Sequence, residues 1–127
     1  MESSPKEFFD KCCNELLLRS GIRFVGVVSN MGRQISGNYD KEITPLVDKN
    51  QHKMCMEQAL ELSMSKDLDE PLGAIEHIIS KRKNVTMITV PFDGHLFLIS
   101  AEPNTSTEFV IEQIHQYVKE YYDMTKT

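Results

Sequence analysis

The sequence predicts an α+β fold: a five-stranded antiparallel sheet with helices on both faces, its elements in the order α-β-β-α-β-β-β-α. Three observations carry this prediction. First, Val85 to Ser100 holds two apolar runs, VTMITVPF and HLFLIS, separated by Asp93-Gly94. Asp-Gly is the dipeptide of a two-residue type I′ turn, whose central residues both need positive φ, so the segment reads as one tight hairpin. Second, Leu96, Phe97, Leu98 and Ile99 are apolar in succession. Four consecutive strand residues point alternately to both sides, so both faces of this strand must be covered. Third, short turns rather than helical crossovers join neighbouring strands, which makes them antiparallel, while helical periodicity appears at the start, middle and end of the chain.

Each element has its own signal. Ser4-Pro5-Lys6-Glu7 combines an N-cap, a proline suited to the first helical position and a capping box. Phe9, Cys12, Cys13, Leu16 and Leu17 then recur on one face, and Gly21 offers the left-handed residue of a helix end, giving a helix over Pro5 to Ser20. Ile22 to Ser29, dense in β-branched residues, reads as a strand inside the sheet. Gln34 to Asn38 returns from a turn at Gly32 as a more polar strand suited to an edge. Tyr39 to Val47, with Pro45 and no period, is a loop.

Asp48-Lys49-Asn50-Gln51 offers a second capping box, and good helix formers without glycine or proline run to Asp67. The apolar residues of this helix occupy more than one stripe, which implies contact with the sheet on one side and a second surface on another. Pro71 and Gly73 break it, and Ala74 to Ser80 follows as a strand. The last helix opens with a capping box at Thr105 to Glu108 and carries Val110, Ile114, Tyr117, Val118 and Tyr121 at helical spacing, with residues 123–127 expected as a frayed tail.

With 127 residues the chain fits a single domain over residues 1–127, able to bury about two-thirds of its unfolded surface. Nineteen acidic against 14 basic side chains give a net charge of −5, which argues against a nucleic-acid binder because such domains carry a basic stripe. No apolar run approaches the roughly 20 residues of a membrane span, and the N-terminus lacks the basic and apolar regions of a signal peptide. A cytoplasmic protein without membrane insertion is expected. Three cysteines, an odd number with two of them adjacent, argue against a disulfide framework.

Candidate chemistry is sparse. His52 and Cys55 could share a helical face, but a zinc site needs two more ligands, and Cys12, Cys13, His77, His95 and His115 show no paired spacing. Cys12 and Cys13 lie on or beside the apolar stripe of the first helix and read as buried small hydrophobes rather than nucleophiles. Lys81, Arg82 and Lys83 read as a solvated turn. Gly21, Gly26 and Gly32 are scattered over different elements and form no phosphate loop. No catalytic, cofactor or metal residues are assigned. The methionines of the middle helix remain: Met56 and Met64 suit either core or an adaptable contact surface.

The element order, with GVVSNMGRQI in the first hairpin, a long middle helix, and KRKNVTMITVPFDGHLFLISAEPNTS running into the last helix, resembles the roadblock/dynein light chain family of profilin-like domains over roughly Pro5 to Tyr122. The resemblance implies a non-enzymatic scaffold that forms a homodimer and binds a small GTPase or regulatory protein. It further implies that the third strand pairs across the two-fold with the middle helix beside it, which places Met56, Leu60, Met64, Ala74, Ile75, Glu76, His77, Ile78, Ile79 and Ser80 at the dimer or partner interface. The Tyr39 to Val47 insertion and the Lys81-Arg82-Lys83 turn depart from the family pattern. PAS and longin domains share a related outline, and the alternative function is a PAS-like sensor holding a small ligand in an apolar cavity between sheet and helices.

Overall fold

The structure, a computed structural model, describes residues 5–46 and 50–126. It has helix α1 (Pro5–Leu17), strands β1 (Ile22–Ser29) and β2 (Gln34–Tyr39), helix α2 (Gln51–Ser65), a 3-10 turn (Lys66–Leu68), and a short helix α3 (Asp69–Leu72). Strands β3 (Ile78–Lys81), β4 (Thr86–Phe92) and β5 (His95–Ala101) and helix α4 (Glu108–Thr125) complete the chain. The strands form one antiparallel sheet in the order β2-β1-β5-β4-β3. This is the α+β architecture that the hairpin and the two-faced apolar run predict, with β5 central and β2 at one edge.

The hairpin turn has the geometry its sequence asks for: Asp93 and Gly94 have φ of 43° and 72°, and Phe92 pairs with His95. Because β5 is apolar on both sides, two helical layers close over it. On one face α1 and α4 contribute Phe9, Cys12, Leu16, Ile114 and Tyr117 to a core shared with Val25, Val27, Ile88, Phe97 and Ile99. On the other, Cys55 and Ala59 of α2 pack against Phe24, Val28, Met87, Leu96 and Leu98. The buried Gln58 accepts a 3.1 Å hydrogen bond from the Thr89 hydroxyl, which fixes α2 over β4 as well. Tyr121 Oη donates to the Asp93 carboxylate at 2.6 Å and ties α4 to the hairpin turn.

Several boundaries differ from expectation. α1 ends at Leu17 rather than Ser20, where backbone bonds from Leu18 to Glu15 and from Arg19 to Leu16 tighten the last turn before Gly21 at φ 86°. α2 stops at Ser65 and hands over to the 3-10 turn instead of reaching Asp67. The capping box at Thr105 to Glu108 is not formed: Thr107 is the N-cap of α4 and makes no side-chain cap bond, and Thr105 Oγ1 donates to the Gly21 carbonyl at 3.4 Å. Asn50, the N-cap of α2, makes no side-chain cap bond either. The box at Ser4 and the residues Val47, Asp48 and Lys49 lie outside the described residues. α4 continues through Thr125 into the stretch expected as tail.

Two glycines with similar φ test backbone strain against crowding. A Cβ on Gly37 (φ 109°) would lie 2.0 Å from the Val25 carbonyl oxygen, whereas one on Gly73 (φ 86°) would meet nothing within 4 Å. We predict that Gly37→Ala costs at least about 3 kcal/mol, because strand backbone cannot yield, and more than Gly73→Ala, where φ 86° and ψ 157° cost about 1 to 3 kcal/mol for the backbone conformation alone. Denaturant unfolding of the two variants side by side checks this; equal losses would contradict it.

Candidate interaction surface

The sheet has two edges, and they are not equivalent. The β2 edge is irregular: register slips between Val27 and Val28, and Gly37 takes positive φ. The Gln34 side-chain amide occupies the Gly37 carbonyl at 3.1 Å, and Gln51 of α2 donates to the Gln34 side-chain oxygen. Bulges and side chains that consume edge carbonyls are the usual means of blocking further strand pairing.

Among the described residues the β3 edge pairs with β4 alone, in a regular ladder. Arg82 N–H donates to the Val85 carbonyl at 2.8 Å. Since hydrogen-bonded pairs recur at every second residue in an antiparallel ladder, Ser80–Met87 and Ile78–Thr89 are the bonded pairs. The peptide groups of Ile79 and Lys81 therefore point to the open side. Ile78 and Ser80 share the α2 face with Thr89 and Met87, while Ile79, 41% exposed, shares the α4 face with Ile88.

On α2 a second feature appears. Cys55, Ala59 and Leu62 face the sheet, and Met56, Leu60 and Met64 are turned outward with 47%, 58% and 71% of their surface exposed. The four-residue spacing continues through the exposed Leu68 and Leu72, beyond the end of α2. Glu57 and Glu61 border the ridge, and with Leu60, Met64, Ser65 and Leu68 they line a shallow groove. Large exposed apolar side chains in a row, rimmed by charge, mark contact surfaces in soluble proteins.

The predicted interface residues thus divide. Met56, Leu60 and Met64 form the α2 ridge, and Ile78, Ile79 and Ser80 belong to the open edge strand. Ala74, Ile75, Glu76 and His77 are not in a strand: they follow Gly73, whose φ is 86° and ψ 157°, and belong to no helix or strand. The expected strand over Ala74–Ser80 is corrected to Ile78–Lys81. His77 stacks edge-on against His115 of α4, with ring centroids 5.8 Å apart, a pairing that sequence spacing gave no sign of. Leu68, Leu72 and Lys81 were missed, although the spacing of four from Met56 could have pointed to the first two.

The remaining candidates separate in space. His52 is exposed whereas Cys55 is buried against the sheet. Among the described residues no three His, Cys, Asp or Glu side chains gather into a metal-holding group. Arg82 and Lys83 are exposed, and Lys81 Nζ donates to the Pro103 carbonyl at 3.2 Å. The space between sheet and α2, where the sensor alternative expects a cavity, holds the packed side chains of Phe24, Cys55, Ala59, Met87 and Leu98. No helix among the described residues is long and apolar enough to cross a membrane.

An open edge strand and an outward apolar ridge on the helix above its neighbour, set on this sheet, define the class: the fold is that of roadblock/LC7 domains. A roadblock/LC7 domain from Streptomyces avermitilis superimposes with a TM-score of 0.72 at 14% identity, over 91% of this chain and 98% of that one. The gliding protein MglB from Thermus thermophilus gives 0.78 at 10% identity, over 98% and 93%. An MglB structure described as having a tetrameric arrangement gives 0.77 at 11% identity, over 98% and 92%. The chain itself belongs to the family of unknown function DUF6659, which matches residues 2–126. No curated protein matches the sequence.

The thiols behave as core. Burial chiefly pushes the Cys12 thiol up to about 12 and that of Cys13 up to about 11, and it raises Cys55 as well. All three are protonated at neutral pH. We predict no reaction with Ellman's reagent at pH 8 in the native protein and reaction of all three thiols on unfolding. The sign of the pH dependence follows: an acid whose pKa is raised in the folded state stabilises it fully below the unfolded value of 9.0 and loses that contribution as pH climbs toward the folded one. Stability in denaturant titrations is therefore expected to hold up to about pH 9 and fall above it.

Proposed function

We propose that this chain is a non-enzymatic, homodimeric interaction module in which β3 pairs with its copy across a two-fold axis, and the outward ridges of the two α2 helices form the surface offered to a protein partner. The single observation that carries the reading is the asymmetry of the edges, one blocked by a bulge and side chains, the other regular and open. Antiparallel pairing of identical strands requires a two-fold normal to the sheet, which keeps the faces distinct and sets both α2 helices on the same side. Pairing the outward peptide groups of Ile79 and Lys81 admits a two-fold at Ile79, Ser80 or Lys81. The last would oppose like charges, and the first brings Ile79 against its copy, so the Ile79 register is favoured.

The partner class comes from the roadblock likeness, which implies a small GTPase or a regulatory protein associated with one. The tetrameric arrangement described for an MglB structure supports self-association in a related fold. The methionines and leucines of the ridge suit such a role because unbranched or flexible apolar side chains repack against a curved partner at little cost.

Light scattering on the intact protein is expected to give twice 14.6 kDa at micromolar concentration. Lys81→Pro removes an outward N–H without touching the bonds to β4, and Ile79→Asp would place a charge in the pairing; both are expected to return the monomer mass with the circular dichroism of the fold retained. A dimer unchanged in both variants would remove β3 from the interface. Leu60→Glu combined with Met64→Glu is expected to keep the dimer and to abolish retention of small GTPases, identified by mass spectrometry, from extracts of the source cell.

A further inference from the structure

A recess of about 420 Å3 opens beyond the packed layer, between the C-terminal half of α2 and the ends of β4 and β5. Its floor is apolar: Ala59 and Leu96 are buried there, and Leu62, Ile75 and Pro91 are half-buried. Its more exposed lining mixes the polar Asn30, Ser63, Lys66 and Asp69 with Met31 and Tyr122. The size falls within the range of small-molecule sites, and an apolar floor with a few polar groups at the mouth is their usual make-up.

We infer that this recess is a binding site for a small organic molecule with an apolar body and an uncharged polar head. The rim decides the head group. It carries both signs: the Asp93 carboxylate already accepts from Tyr121 Oη, which leaves Lys66 against Asp69, so an anionic or cationic head would gain one contact and be repelled by the other. A neutral head can exchange hydrogen bonds with the Asn30 amide and the Ser63 hydroxyl at no such cost. The wall identifies what responds to binding. From Lys66 to His77 the chain passes through a 3-10 turn, a single helical turn and a run that belongs to no helix or strand, and no residue in it is fully buried. A segment with so few buried contacts opens at low free energy, and a molecule in the recess would supply Lys66, Asp69 and Ile75 with contacts the fold does not give them. The same segment leads directly into β3.

The recess adjoins the ridge and the approach to β3, but none of Met56, Leu60, Met64 or Ile78 to Lys81 lines it, so the two readings can fail separately. The probe is N-phenyl-1-naphthylamine, a neutral apolar amine that fluoresces on leaving water, titrated into the full chain. The expected result is saturable binding of one molecule per chain, an affinity at least tenfold lower in Ser63→Trp, which fills the mouth, and in Ile75→Asp, which charges the wall, and slower hydrogen exchange over residues 66–77 in the probe complex. Lys81→Pro and Leu60→Glu should leave the probe affinity unchanged whatever they do to the dimer or to partner binding. Non-saturable binding, equal affinity in folded Ser63→Trp and Ile75→Asp, or protection confined to other segments would overturn the assignment.

Discussion

The burial of β5 on both faces is the constraint on which the rest of the molecule depends. Leu96, Phe97, Leu98 and Ile99 are each at most 1% exposed, and neighbouring strand residues point to opposite sides, so a single helical layer would leave half of them in water. At roughly 25 cal/mol per Å2 of apolar surface, leaving either set uncovered would cost several kcal/mol, comparable to the whole stability of a domain. Two layers are therefore obligatory. α1 and α4 form one, locked together by Tyr117 Oη donating to the Glu15 carboxylate at 2.9 Å, and α2 alone forms the other.

The asymmetry of the layers shapes the surface. Two helices side by side cover the sheet on one face, and the large apolar side chains they leave exposed, Phe109, Tyr122 and Met124, lie toward the two ends of α4. A lone α2 must cover the opposite face and has its far side free, where Met56, Leu60 and Met64 stand in water. The same layer leaves the recess at its end uncovered, because α2 stops at Ser65 while the hairpin of β4 and β5 continues beneath it to Asp93 and Gly94. Edge chemistry adds the second asymmetry. One edge is closed by its own glutamine and glycine, and the other ends in four residues with two outward peptide groups.

Much of the fold was legible because its signals are local. Asp93-Gly94 specifies a turn whatever surrounds it, and the apolar periods of α1 and α4 match the faces they bury. The β-branched run at Ile22 likewise made a strand wherever it was placed. The capping box at Thr105 failed for an equally physical reason: its hydroxyl donates to the Gly21 carbonyl, 84 residues distant along the chain, instead of accepting from a backbone N–H at the start of α4. The strand at Ala74 to Ser80 was drawn too long because apolar residues at Ile75, Ile78 and Ile79 look alike in sequence. Only those with Ile88 and Thr89 beside them join the ladder.

The sequence by itself determined that helices must cover both faces of an antiparallel sheet, that the thiols are core, and that α2 has more apolar residues than one face can use. These follow from residue type and spacing, which act over a few residues. Tertiary structure alone decided which apolar residues of α2 face water, which sheet edge is open, that His77 meets His115, and where the recess lies. Each of those depends on groups brought together from distant parts of the chain, and no local period encodes the distance between them.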